Sequence, residues 1–175
     1  MKTALALGTF DGLHKGHREV LRLPDGCKKI AVIFPLPPKA LITCKPLALM
    51  LPQDKETALR NLGIDEIFTL DFEKVRTLLP EDFLHFLTDK FSPGLISCGF
   101  NYRFGKNAAG DKNLLEKFCR ERGITLKCSE PVTENGETVS STEIRRLLQS
   151  GETEKANRLL YKPFSYTAEV VSGDR

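Results

Sequence analysis

The sequence predicts an α/β domain built on an open, mostly parallel sheet with helices on both faces. Three observations carry this. Strand-like and helix-like apolar patterns alternate along the chain, the mark of successive βαβ units. Lys29 to Phe34 is a near-continuous apolar run in which Ile30, Val32 and Phe34 alternate with Ala31 and Ile33, as in a parallel strand covered on both sides. A first strand, Ala4 to Leu7, runs directly into Gly8-Thr9-Phe10-Asp11-Gly12-Leu13-His14-Lys15-Gly16-His17, a strand-to-helix turn at the end of the sheet where such folds bind ligands.

Each element follows from local chemistry. His17 to Leu23 reads as a short helix, stopped by Pro24-Asp25-Gly26. Lys29 to Phe34 is the second strand, and Pro35-Leu36-Pro37-Pro38 after it is a stiff loop with few ladder donors. That loop is either a ligand wall at the strand's C-terminal end or a rigid connector. Gln53 to Leu62 has helical spacing of Ala58, Leu59 and Leu62, with Gly63 at the stop. Asp65 to Leu70 is a third strand. Pro80 to Phe91 starts with proline and Glu81-Asp82, then sets Phe83, Phe86 and Leu87 on one stripe, leaving His85 toward solvent. Leu95 to Cys98, Asn113 to Arg122 and Ile124 to Cys128 complete the pattern as strand, helix and strand. Within Val139 to Leu148, Ser140 or Ser141 caps a further helix.

The totals suit one domain with a substantial core: 175 residues, 41% hydrophobic and 28% charged. A net charge of +3, with 26 basic and 23 acidic residues dispersed along the chain, offers no basic block for nucleic acid. Anionic small molecules remain compatible with it. Five cysteines, at 27, 44, 98, 119 and 128, form no Cys-x-x-Cys pair, which fits thiols in a reducing cytoplasm better than a disulfide framework or a metal site. The short apolar N-terminus is interrupted too early for a signal sequence. No run approaches the ~20 apolar residues of a membrane span.

The chemistry concentrates in three stretches. In the first, Gly8, Gly12 and Gly16 let the backbone turn and approach a ligand, and the helix that follows offers N–H donors and its dipole to an anion. His14 and His17 lie three residues apart, and two of the chain's three histidines sit in this one turn. Both imidazoles can converge on one phosphate chain. In the second, Gly99 to Asp111 follows a strand end with Asn101, Tyr102, Arg103, Phe104 and Lys106. Its aromatic faces can stack a planar ring and its cations can meet phosphate, or they are core aromatics beside an ordinary turn. In the third, the Ser140-Ser141-Thr142 hydroxyls and a helix N-terminus face an anion, with Arg145 about a turn further on. Ile144, Leu147 and Leu148 form the buried stripe and leave Arg145 on another face, within reach of phosphate.

The string Gly-Thr-Phe-Asp-Gly-x-His-x-Gly-His resembles the signature of the nucleotidyltransferase superfamily marked by His-x-Gly-His. Together with Cys98 to Lys106, Ser140 to Arg145 and Ala156-Asn157-Arg158-Leu159-Leu160, it resembles the FMN adenylyltransferase module of the bacterial bifunctional riboflavin kinase/FAD synthetase family. The resemblance implies a Rossmann-like nucleotidyltransferase fold over residues 1–163 and transfer of AMP from ATP to FMN, giving FAD and pyrophosphate. It implies His14, His17 and Arg145 as catalytic residues. Gly8, Thr9, Phe10, Gly16, Ser140, Ser141 and Thr142 are implied around the ATP phosphates, and Asn101, Tyr102, Arg103 and Phe104 around FMN. Mg²⁺ is expected to ride on the ATP phosphates with its waters, since the sequence shows no dedicated carboxylate cage. An FMN phosphate is already ionised at neutral pH, so no strong general base is required. With His17 and Arg145 assigned to the cleft, replacing either by alanine is expected to leave folding intact.

Two departures mark this chain. Where the family usually has Phe-x-Pro-His-Pro, this chain has Phe34-Pro35-Leu36-Pro37-Pro38, so the histidine's contacts are missing. Residues 164–175, with Tyr166 to Gly173 resembling the opening strand of a riboflavin kinase barrel, are expected to be the start of such a barrel or a tail, the kinase domain itself being absent. Two other readings stay open: a non-catalytic protein that binds ATP or a flavin nucleotide, and an adenylyltransferase for another phosphate acceptor. Neither nucleic acid nor a membrane is expected as a partner.

Overall fold

Side chains that alternate along the strands bury two opposite faces of one sheet. The computed structural model describes residues 2–43 and 48–168. Its strands are β1 (Lys2–Leu7), β2 (Cys27–Ile33), β3 (Glu66–Thr69), β4 (Pro93–Gly99) and β5 (Thr125–Ser129). They pair in the order β3-β2-β1-β4-β5, all parallel. The helices are α1 (Lys15–Leu21), α2 (Pro38–Thr43), α3 (Pro52–Asn61), α4 (Phe72–Val75), α5 (Pro80–Phe91), α6 (Lys112–Glu121), α7 (Ser141–Gln149) and α8 (Thr153–Leu159). Leu5, Leu7, Ile30, Val32, Ile96 and Cys98 pack on one face against Phe83, Leu84 and Leu87 of α5 and Leu115, Phe118 and Cys119 of α6. Ala4, Ala6, Ala31 and Ile33 pack on the other against Val20 and Leu21 of α1 and Leu59 of α3. The open α/β architecture predicted from the sequence is therefore the one observed.

The chain builds outward from β1 through β2 to β3, then returns to the other side of β1 for β4 and β5. Strand order thus reverses between β1 and β4, the point at which an open sheet leaves a crevice beyond its carboxyl ends. Leu7 is in register with Val32 on one side and Cys98 on the other, so the turns after all three strands meet there. A third cluster, Ile144 and Leu147 of α7 with Ala156 and Leu159 of α8, Val139 and Leu49, flanks this end.

Four features escape the sequence reading. Pro38 is not the last residue of a loop but the first of α2, a position where its missing N–H costs nothing and its fixed φ helps. Helix α4 is a single turn, too short for periodicity to show. Strands β6 (Thr133–Glu134) and β7 (Glu137–Thr138) are two residues each, joined by Asn135-Gly136 with φ of 51° and 84°, the left-handed pair that tight hairpins prefer. Helix α8 follows Gly151 without a side-chain cap. Tyr166 to Ala168 have no strand partner among the described residues, and the rest of the expected Tyr166–Gly173 strand lies outside them, as does Cys44. The four described cysteines are free thiols.

Candidate functional site

The turn after β1 is held by its own histidines. His14 is the N-cap of α1, and its Nδ1 accepts the backbone N–H of His17 at 3.2 Å, which puts the proton of the neutral ring on Nε2. The His14 and His17 rings stack with centroids 3.6 Å apart and planes 18° from parallel. Phe10 closes the stack edge-on to His17 at 5.3 Å. Phe10 and Leu13 adopt left-handed φ of 47° and 39°, strain of the kind found where a surrounding structure fixes a functional turn. Gly8 is required here: a Cβ on it would lie 2.9 Å from the Phe10 ring. From the far end of the fold, the Tyr161 N–H donates to the Leu13 carbonyl at 3.1 Å.

Both imidazoles are neutral at pH 7. Burial lowers His14 to about 4. His17 is held well below 6.5 by burial first, then by the nearby charges of His14 and Lys55. Its buried Nδ1 has no hydrogen-bond partner among the described residues.

A cavity of about 550 Å³ stands over this turn. It brings together Gly8, Thr9, Phe10, His14, Gly16 and His17 with Asn101, Tyr102 and Arg103 after β4 and with Ser140 at the start of α7. Ser140, not Ser141, is the cap of α7, accepting the Glu143 N–H at 3.2 Å. Val132, Thr138 and Val139 form the wall nearest the β6–β7 hairpin, which Lys15 ties to α1 through Glu134 at 2.8 Å. A second cavity of about 570 Å³ adjoins the first, sharing Phe34, Pro38, Tyr102 and Arg103; the rest of its lining is mainly apolar, with Ile42, Phe72, Val75, Phe83 and Phe104, and includes Arg76 and Asn107. Of the Pro35–Pro38 stretch, Pro38 lines both cavities, while Pro35, Leu36 and Pro37 line neither. The loop after β4 serves both alternatives: Tyr102 lines the cavities while Phe104, 5% exposed, packs on Phe83 in the core.

Arg145, Ser141 and Thr142 do not line this cavity. Arg145 Nη2 donates to Asp11 Oδ2, and the Ser141 hydroxyl donates to the Asp11 carbonyl at 2.8 Å. Thr142 is exposed. Asp11 is 1% exposed, and its other carboxylate oxygen accepts the Leu49 N–H at 2.9 Å. The helix stripe did turn Arg145 away from the core, but toward a buried carboxylate.

Two residues of the site were missed in the sequence. Asp11 is the one acid in a turn otherwise made of glycine, apolar residues, histidine and lysine, and that isolation was the available signal. Lys55 is 0% exposed on α3 and donates to the carbonyls of Phe34 at 3.0 Å and Pro35 at 3.1 Å. It heads the i, i+4 stripe with Leu59 on the helix's buried face.

Comparison with known proteins identifies the family. The FAD synthetase family model matches residues 1–143. The bifunctional riboflavin kinase/FMN adenylyltransferase of Pseudomonas fluorescens is 30% identical over 179 residues, covering 97% of this chain and 57% of that protein. Its counterpart from Bacillus subtilis is 31% identical over 192 residues, covering 99% of this chain and 58% of that protein. The chain therefore spans somewhat over half the length of these curated relatives. A crystal structure from Streptococcus pneumoniae, described as a macrolide-efflux protein, aligns with a TM-score of 0.81 and 27% identity over 93% of this chain and 56% of that one. Among the described residues here, no helix is long and apolar enough to cross a membrane.

Proposed function

The chain belongs to the FAD synthetase family, and from that premise we propose that it transfers AMP from ATP to FMN, releasing pyrophosphate and FAD. One observation carries the reading: the histidine-floored cavity opens onto an apolar cavity of similar size through a shared wall of Phe34, Pro38, Tyr102 and Arg103. Each volume falls in the range of ordinary small-ligand sites. The donors around the first cavity suit a phosphate chain and the aromatic walls of the second a flat ring, so the two substrates meet at the shared wall.

In this reading His14 presents Nε2–H to the triphosphate, and His17, stacked on it, lines the same cavity. Ser140 and the first N–H groups of α7 add donors from the opposite wall. An FMN phosphate oxygen attacks the α-phosphorus as the bond to the β-phosphate oxygen breaks, so catalysis rests on alignment and on stabilising charge at the α-phosphate and leaving pyrophosphate. Asn101, Tyr102 and Arg103 hold the FMN end. Phe104, packed on Phe83, lines the second cavity, and Arg145 acts through Asp11. Mg²⁺ would enter on the ATP phosphates, where it neutralises their charge.

The test is incubation of the chain with ATP, Mg²⁺ and FMN, reading FAD by chromatography and pyrophosphate by a coupled assay. FAD over many turnovers is the expected result. A folded protein that forms none above the enzyme-free control overturns the reading, and a panel of other phosphate acceptors shows whether the acceptor alone was misassigned. Family membership does not favour a binding protein without turnover.

A further inference from the structure

We propose that Lys55 is a positioning residue of this site: its buried ammonium pins the Phe34–Pro35 wall between the two cavities and supplies the positive charge that an incoming phosphate chain neutralises. The proposal rests on the adenylyl-transfer reading for the identity of that chain.

Lysine is among the residues least often fully buried, and a buried ammonium is costly unless it is paired. Lys55 is 0% exposed, makes two hydrogen bonds to backbone carbonyls, and forms no ion pair among the described residues. The carbonyls belong to the residues at which the chain leaves β2. Phe34 lines both cavities, and Pro38, three residues past Pro35, lines both as well. An apolar side chain at position 55 would save the desolvation cost but leave both carbonyls without this donor, and a neutral donor would serve them as well, so the ammonium calls for a use beyond them.

Its charge supplies that use. Asp11 is the acid that attracts it, and Asp11 is already committed to Arg145 and the Leu49 N–H. One carboxylate thus faces two cations, while His14 and His17 are neutral. The Lys55 charge reaches His17, whose imidazole it helps to keep unprotonated. Burial also pulls Lys55 itself below the ordinary lysine range, a cost that an arriving polyanion reverses. In a chain with Pro37 where relatives are expected to have a histidine, a cation behind the same loop takes on part of the grip.

The experiment uses the whole chain with inorganic tripolyphosphate as probe, at fixed ionic strength. Calorimetry is expected to show K55M binding at least tenfold more weakly than wild type, and K55R, which keeps charge and donors, within about threefold of it. In the wild-type chain the Lys55 ¹³Cε titration should move to higher pH when tripolyphosphate is added, a readout that decides the matter even if K55M does not fold. Equal affinity in folded K55M, an unmoved Lys55 titration, or a wild-type chain that does not bind tripolyphosphate each overturns the proposal. Lys55-dependent binding in a protein that makes no FAD would support the role of Lys55 while removing the adenylyl-transfer reading, so the two fail separately. Where FAD is made, K55M should raise KM for ATP more than it lowers kcat.

Discussion

The guanidinium of Arg145 on α7 is bound to the carboxylate of Asp11 in the turn after β1, across 134 residues of sequence. Asp11 is 1% exposed and Arg145 21%, and Ser141 and the Leu49 N–H hold the same residue from two further sides. The contact fastens the start of α7 to the phosphate turn.

Breaking that pair should cost stability. Removing one partner of a buried ion pair leaves the other uncompensated, so Arg145→Ala and Asp11→Asn are each expected to lower unfolding free energy by about 2–4 kcal/mol. This corrects the expectation that Arg145 stands in the cleft and can be removed without harm to the fold. Urea unfolding of both variants, with the double variant closing the cycle, checks it; additive losses would show that the pair is not coupled.

The stacked histidines predict loss of stability in acid. His14 has a folded pKa of about 4 against 6.5 for the ordinary group, so between those values the unfolded chain binds more protons than the folded one. Stability is therefore fully present above about pH 6.5 and falls as pH drops toward 4, by about 3 kcal/mol for His14 alone. His17 acts with the same sign. Unfolding curves from pH 7.5 to 4.5 measure the slope, and His14→Asn should flatten it.

Under the proposed reaction, His17→Ala should reduce kcat by roughly 10²–10³ with little change in KM for ATP, because a donor to growing phosphate charge matters most in the transition state. Steady-state kinetics paired with a thermal melt decide it. A folded variant with near wild-type kcat would remove His17 from the chemistry.

Ser140 caps α7 and lines the cavity. Ser140→Ala should cost about 1 kcal/mol from the lost cap and also raise KM for ATP. Ser140→Asp is the control: it restores the cap while placing a negative charge at the phosphate wall, so stability should recover and affinity should not.

The three stretches that carry the site were legible because each is local. A glycine-rich turn with two histidines three apart, an aromatic loop after a strand, and a serine-capped helix are written within a dozen residues each. The stacking of His14 on His17 follows from the same closeness, since the cap that starts α1 brings the second ring under the first. Lys55 and Asp11 were not legible in that way, because the identity of a single lysine or aspartate does not say whether its side chain is buried.

The alternation of apolar residues along β1, β2 and β4, and the helical stripes of α5, α6 and α7, are properties of the chain's local period, and they determine the parallel sheet and its two covered faces without reference to distant residues. The partners of Arg145, the burial of Lys55 against Phe34 and Pro35, and the meeting of a polar with an apolar cavity arise only when the strand order reverses between β1 and β4 and brings three loops together. A charged side chain takes the nearest compensating partner in three dimensions, and along this chain that partner lies 21 residues away for Lys55 and 134 for Arg145.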